Sequence, residues 1–199
     1  MKYRTVQKNE YESLAKLHSL AFNDFFLTTL GDGFLKTYYK AALKSKESIA
    51  VCAVDDDGSI VGFSTGCLKS KGFHKKLFIT NFAQFSFQAL HILFSNPKAL
   101  LRLLNNMDKK ANPNDDGNYS ELLSIAVSPL HKGLGIGNKI IKTFEMEASN
   151  KGCNKIALTT DYTNNHQVLS FYKKSGYVVF YEFITYPNRR MYKYIKELT

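Results

Sequence analysis

Residues 128–141 read SPLHKGLGIGNKII. The apolar run Leu122–Val127 leads into this stretch, glycines follow at 133, 135 and 137, and an amphipathic segment begins at once. That order predicts a strand, a glycine-rich loop and a helix over about 135–149. Such a loop presents successive backbone N–H groups at the positive end of a helix, which suits an anionic phosphate.

Outward from the loop, the chain predicts an α/β domain. Tyr3–Val6 reads as a first strand and Asn9–Ala21 as a helix. Phe22–Leu30 is aromatic and irregular, and Gly33–Lys44 is a second helix. Ser48–Val54 and Ile60–Leu68 form a hairpin across Asp-Asp-Asp-Gly-Ser. Lys75–Phe94 is apolar and helical, and Asn96-Pro97 starts a shorter helix to about Lys110. Residues 111–118 are a polar loop. Residues 70–118 therefore read as a helical insertion within one domain spanning 1–199. From Glu121 onward strand, helix, strand (155–160), helix (165–175) and two strands (177–185 and 190–196) alternate.

Composition narrows the function classes. At 199 residues with 44% apolar content, the chain is long enough for a single packed core. No secretory leader and no apolar run of membrane-spanning length stand out, so a cytoplasmic protein without a membrane partner is expected. Cys52, Cys67 and Cys153 are far apart and read as reduced thiols, and no metal site is expected. The net charge of +10 is spread over scattered lysines with no basic run. Solvated helix faces and one anion site explain it without nucleic acid.

Three phosphate ligands compete for the loop. A triphosphate loop needs Gly-Lys-Ser/Thr, but the chain after Gly133 runs Leu-Gly-Ile-Gly-Asn-Lys. A dinucleotide fingerprint puts its first glycine directly after the strand. Here residues 128–132 intervene, and Asn138 stands in place of the third glycine, although Asp161 ends a strand where a ribose ligand would lie.

The third reading rests on a resemblance. Val127-Ser128-Pro129 followed by Lys132-Gly133-Leu134-Gly135-Ile136-Gly137 resembles the Gln/Arg-x-x-Gly-x-Gly/Ala pyrophosphate loop of the GNAT superfamily of acetyl-CoA-dependent N-acetyltransferases. Lys132 stands where the family carries Gln or Arg. Downstream, Asn165, Val168, Phe171-Tyr172 and Gly176-Tyr177 match the spacing of the family's Asn-x-x-Ala-x-x-Phe-Tyr-x-x-x-Gly-Phe. The resemblance covers about 121–185, is weaker over 1–68, and leaves out the insertion.

The resemblance implies a GNAT fold: a mixed, mostly antiparallel sheet of about seven strands flanked by helices, with the helical insertion between strands 3 and 4. It implies acetyl-CoA as cosubstrate, held by Ile125, Ala126 and Val127 on the strand, by Lys132, Gly133, Leu134, Gly135, Ile136 and Gly137 in the loop, and by Asn165. Asn165 also reads as a helix N-cap. The N–H of Ala126 or Val127 would face the thioester oxygen. Tyr172 would be the general acid and Glu121 the general base, directly or through water. Tyr172 as a core aromatic, and Glu121 as a solvated strand-end charge, are the alternatives. His131 and His166 read as residues near phosphate or solvent. His18, His74 and His91 read as structural residues of the acceptor half.

The acceptor amine is expected between Phe22–Leu30 and Tyr181–Asn188. Leu30-Gly31-Asp32-Gly33-Phe34-Leu35 resembles a pattern in family members acting on amino sugars. A protein N-terminus, a lysine or a polyamine is the alternative, as is a CoA-binding module without catalysis. The insertion is expected to roof the acceptor pocket or to form a homodimer face.

Overall fold

The computed structural model describes residues 1–23, 25–107, 112, 114–198. Seven strands form one sheet: β1 (Lys2–Thr5), β2 (Ser48–Val54), β3 (Ile60–Cys67), β4 (Ser120–Val127), β5 (Lys155–Asp161), β6 (Val178–Thr185) and β7 (Arg189–Glu197). Their order is β1-β2-β3-β4-β5-β7-β6. The β4–β5 pair is parallel and the other pairs are antiparallel. This is the expected mixed, mostly antiparallel α/β sheet, with the helical segment inserted between β3 and β4.

Two cores share the sheet, one on each face. Helices α1 (Tyr11–Ala21) and α2 (Asp32–Lys44) cover the first, placing Leu14, Leu35, Tyr39 and Phe63 in it. Helices α6 (Ile136–Asn150) and α7 (His166–Lys174) cover the second, with Ile140, Phe144, Ile156, Leu158 and Tyr194. Gly66 on β3 shows how closely α6 approaches. A Cβ there would lie 2.2 Å from the Glu121 carbonyl oxygen and 2.5 Å from the Phe144 ring. Any side chain would push the helix or β4 away.

The insertion differs in detail from its sequence pattern. The single apolar helical run is two helices, α3 (Phe73–Thr80) and α4 (Phe82–Ser95), bent by 92°. The break falls at Asn81, whose Nδ2 donates to the Leu77 carbonyl at 2.9 Å and so occupies an acceptor at the end of α3. Helix α5 is Pro97–Met107, and the expected extension to Lys110 lies outside the described residues. Elsewhere element ends shift by one or two residues from those expected.

Candidate active site

β4 and β5 pair over three residues, Ser120 with Ile156, Glu121 with Ala157 and Leu122 with Leu158. Beyond Leu122 they separate, while β4 stays paired to β3 as far as Val127. A register shift at Thr65/Gly66 marks the point of divergence, where Leu123 is the extra residue of a β-bulge. The Ser128 N–H donates to the Val61 carbonyl at 2.8 Å. Antiparallel alternation then turns the N–H of Ala126 toward β3 and those of Ile125 and Val127 toward the opening. Of the two donors considered for the thioester oxygen, Val127 is the one directed into the gap.

The glycine loop follows directly. A 3₁₀ turn, Pro129–His131, carries the chain to extended Lys132. Gly133 and Gly135 then take φ of 82° and 72°. Open space surrounds both, so backbone conformation and not crowding calls for glycine. Gly135 caps α6, whose first recorded bond runs from the Lys139 N–H to the Gly135 carbonyl at 3.3 Å. The N–H groups of Ile136, Gly137 and Asn138 therefore have no acceptor in the helix and carry its positive end. A Cβ on Gly137 would stand 3.7 Å from the Phe171 ring and 3.9 Å from Val127 Cγ2, so the start of α6, the middle of α7 and the end of β4 meet here. A groove of about 570 Å³ continues between α6 and α7, lined by Asn138, Lys142, Gln167, Phe171, Lys174 and Lys196.

Asn165 is the N-cap residue of α7 by position, but its side chain does not cap. Nδ2 donates to Thr160 Oγ1 at 2.8 Å and to the Asp161 carbonyl at 3.0 Å, tying the helix to the free end of β5. Both amide hydrogens are thus used, which leaves the Asn165 oxygen as the group that accepts. Asp161 is held by both Nε and Nη2 of Arg189 and does not act as a free ribose ligand.

Tyr172 is buried among Phe171, Tyr177 and Tyr194, with ring centroids 5.2, 5.9 and 6.2 Å away. Burial pushes its pKa up, so the phenol keeps its proton.

On the opposite face Glu121 is not a solvated strand end. Its side chain is 14% exposed and forms an ion pair with Lys193, itself buried. Its second oxygen accepts from Ser70 Oγ at 2.5 Å. Burial works against the charge, but Lys193, the Ser70 hydroxyl and the field of His74 outweigh it. The carboxyl is held below its ordinary value and is ionised at neutral pH. Beside it Tyr119 and Tyr181 both donate to Asp115 Oδ2, at 2.8 and 2.5 Å, and Lys193 Nζ lies 5.0 Å from the Tyr119 ring centre. The sequence pattern pointed to neither Lys193, Ser70, Asp115 nor Tyr119. The acidic and basic members looked like surface charges until the fold joined them.

The thiols behave as expected. Burial pushes Cys52 and Cys67 up to about 11 and about 12, and raises Cys153 as well. His18 is a core residue, with Nδ1 2.6 Å from the Tyr39 hydroxyl. No group of His, Cys, Asp and Glu among the described residues could hold a metal ion.

A splayed parallel strand pair, an open helix N-terminus at its mouth and a protonated tyrosine on α7 make up the candidate site. A sequence model of the Acetyltransferase (GNAT) family matches residues 12–177, and the chain belongs to that family of acyltransferases, which use acetyl-CoA. No curated protein matches the chain significantly by sequence. Among solved structures it is similar to the ribosomal-protein-S18-alanine N-acetyltransferase from Escherichia coli, with TM-score 0.63 and 10% identity, covering 100% of this chain and 94% of that one. It is also similar to an aminoglycoside 6'-N-acetyltransferase complexed with coenzyme A, with TM-score 0.63 and 15% identity over 100% and 98%. The spermidine/spermine N-acetyltransferase from Vibrio cholerae follows at TM-score 0.57 and 11% identity over 99% and 94%. These likenesses establish a shared fold, and the three named acceptors differ in kind.

Proposed function

We propose that the chain is an N-acetyltransferase acting on a primary amine of a small molecule, with Glu121 as general base and Tyr172 as general acid. The observation that carries this reading is the convergence at the β4–β5 opening. An unpaired strand edge and the free N–H groups of α6 meet there, with the protonated Tyr172 in the core beneath α7 and the ionised Glu121 on the other face, where β4 and β5 are still paired. Acetyl-CoA supplies the acetyl group as a thioester. Ile136, Gly137 and Asn138 offer backbone donors to its pyrophosphate, with Lys132 adding charge. Lys142 and Lys174 make the adjoining groove cationic, which suits the phosphate of its nucleotide end. The edge of β4 from Ile125 to Val127 pairs with its amide-bearing arm, and the Asn165 oxygen accepts from it.

At the reacting carbon the Val127 N–H stabilises charge developing on the thioester oxygen. The Glu121 carboxylate accepts the ammonium proton through water, because Lys193 and Ser70 already occupy its oxygens. Tyr172 delivers its proton to the departing thiolate. That the carboxylate is charged and the phenol neutral at pH 7 follows from their environments.

The neighbours' names give an alanine of a ribosomal protein, an aminoglycoside and spermidine/spermine as acceptors. We favour an amino sugar. The acceptor side is rich in hydroxyl and carboxylate partners around Asp115, Tyr119 and Tyr181, which match a polyhydroxylated amine better than a peptide. A net charge of +10 works against a polycation. Release of free thiol from acetyl-CoA, followed against amino sugars, polyamines and N-terminal peptides, tests the proposal. Turnover with an amino sugar that Tyr172→Phe suppresses is expected. Acetyl-CoA binding with no turnover of any amine would favour the non-catalytic module.

A further inference from the structure

Helix α4 is apolar around most of its circumference and carries no charged side chain. Its inner side places Phe85 and Ile92 in the core. Its outer side presents Phe82 at 71%, Phe87 at 69%, Leu90 at 58%, Leu93 at 47% and Phe94 at 85% exposure. At 100° per residue these five span less than half the helix circumference. Ile79 on α3 and Leu101 on α5 extend the patch. The five side chains of α4 alone expose on the order of 600 Å² of apolar surface on one side of the helix, at the upper limit for a soluble monomer.

The segment that carries the patch has charge of one sign. From Ile60 to Met107 the chain contains no Asp or Glu, but five lysines and Arg102. Lys75 on α3 and Lys98 on α5 are exposed. A second copy seated on this face would bring two such positive segments together, and burying them against each other is unfavourable. An anionic bilayer surface complements both features. The phenylalanines and leucines enter the acyl boundary, and the flanking lysines meet the headgroups. No single helix among the described residues is long and apolar enough to cross a membrane, and α3 and α4 pass that test only as a pair bent by 92°. The inner side of α4 is already buried in the core, which leaves its outer side for an interfacial contact.

We propose that the outer face of α4, with its lysine-bearing neighbours, docks the protein on anionic lipid surfaces. This replaces the expectation of no membrane partner, and it stands apart from the choice of acceptor. The face adjoins the acceptor side. Asn96 Nδ2 donates to the Thr29 carbonyl at 3.3 Å, and Arg102 lies 4.7 Å over the Phe26 ring centre. Docking therefore brings the connection between α1 and α2 close to the bilayer.

Co-sedimentation of the full chain with phosphatidylcholine vesicles, with and without phosphatidylglycerol, tests the proposal. Binding to the anionic vesicles that weakens with salt is expected. Phe87→Ser with Phe94→Ser should weaken it more than about tenfold. Lys75→Glu with Lys98→Glu should weaken it by about tenfold or more. Both variants should keep the acetyl-transfer rate on a soluble amine, which shows that the fold is intact. Equal binding to both vesicle types, or to neither, would overturn the proposal. So would a concentration-dependent dimer in sedimentation equilibrium that Phe87→Ser with Phe94→Ser abolishes.

Discussion

The two sides of the β4–β5 opening are built from different materials. On the proposed cosubstrate side the candidate groups are backbone: the edge of β4 and the N–H groups at the start of α6. On the acceptor side they are side chains already committed to one another, as Glu121 with Lys193 and Ser70, Asp161 with Arg189, and Asp115 with two tyrosines. Backbone donors are indifferent to neighbouring side chains, so one geometry can serve every enzyme that uses the same cosubstrate. Interlocked side chains are harder to exchange one at a time. Chains of 10–15% identity share this fold, and their named acceptors differ.

The largest effect is expected at Glu121. Glu121→Gln should lower kcat/KM about 10²–10⁴-fold with acetyl-CoA affinity unchanged. Glu121→Ala should in addition cost about 3–5 kcal/mol of stability in urea unfolding, because it leaves the Lys193 ammonium buried without its partner. Equal effects of Glu121→Gln on cosubstrate binding and on turnover would erase the division between the two sides.

Tyr172→Phe comes next. It removes a proton but little volume, so kcat should fall about 10²-fold, while stability stays within about 1 kcal/mol. A thioester with a better leaving group should restore much of the rate. No recovery would return Tyr172 to a packing role.

His18 probes the acceptor-side core. Burial lowers it to about 4 from 6.5, so between these values the unfolded chain binds the proton that the folded chain refuses. Stability should therefore rise with pH across that window, and acidification from 6.5 to 4 should cost about 2–3 kcal/mol. His18→Gln should flatten that slope in urea midpoints measured at successive pH values. The smallest effect is expected from Lys132→Ala, a severalfold rise in the KM for acetyl-CoA that added salt masks, since the loop's backbone carries most of the contact.

The same division explains what could be read from the chain. Gly133, Gly135, Val127-Ser128-Pro129 and Asn165 through Tyr172 are local signatures, because a positive φ or a helix face leaves a mark within a few residues. The strands, the helices and the place of the insertion were legible for the same reason, while the flanking of the sheet by helices was implied only by the family resemblance. The Glu121–Lys193 pair spans 72 residues and Ser70–Glu121 spans 51, and nothing local announces them. Gly66 looked like an ordinary strand residue until α6 was set against it. The 92° bend at Asn81 lacks proline or glycine, and a side-chain hydrogen bond accompanies it. The exposed face of α4 had the same composition as a buried helix. Only its placement at the edge of the first core separates the two.

The central claim, that the backbone at the start of α6 is the cosubstrate's anion site, is tested most directly by calorimetric titration of acetyl-CoA into the wild-type chain and Gly135→Val. Position 135 has open space around it but φ of 72°, so valine distorts the backbone without filling a pocket. The account predicts wild-type binding that Gly135→Val weakens at least about tenfold, with a stability loss of about 1–2 kcal/mol that leaves the chain folded. Unaltered acetyl-CoA affinity in Gly135→Val, or no binding by the wild type, would contradict it.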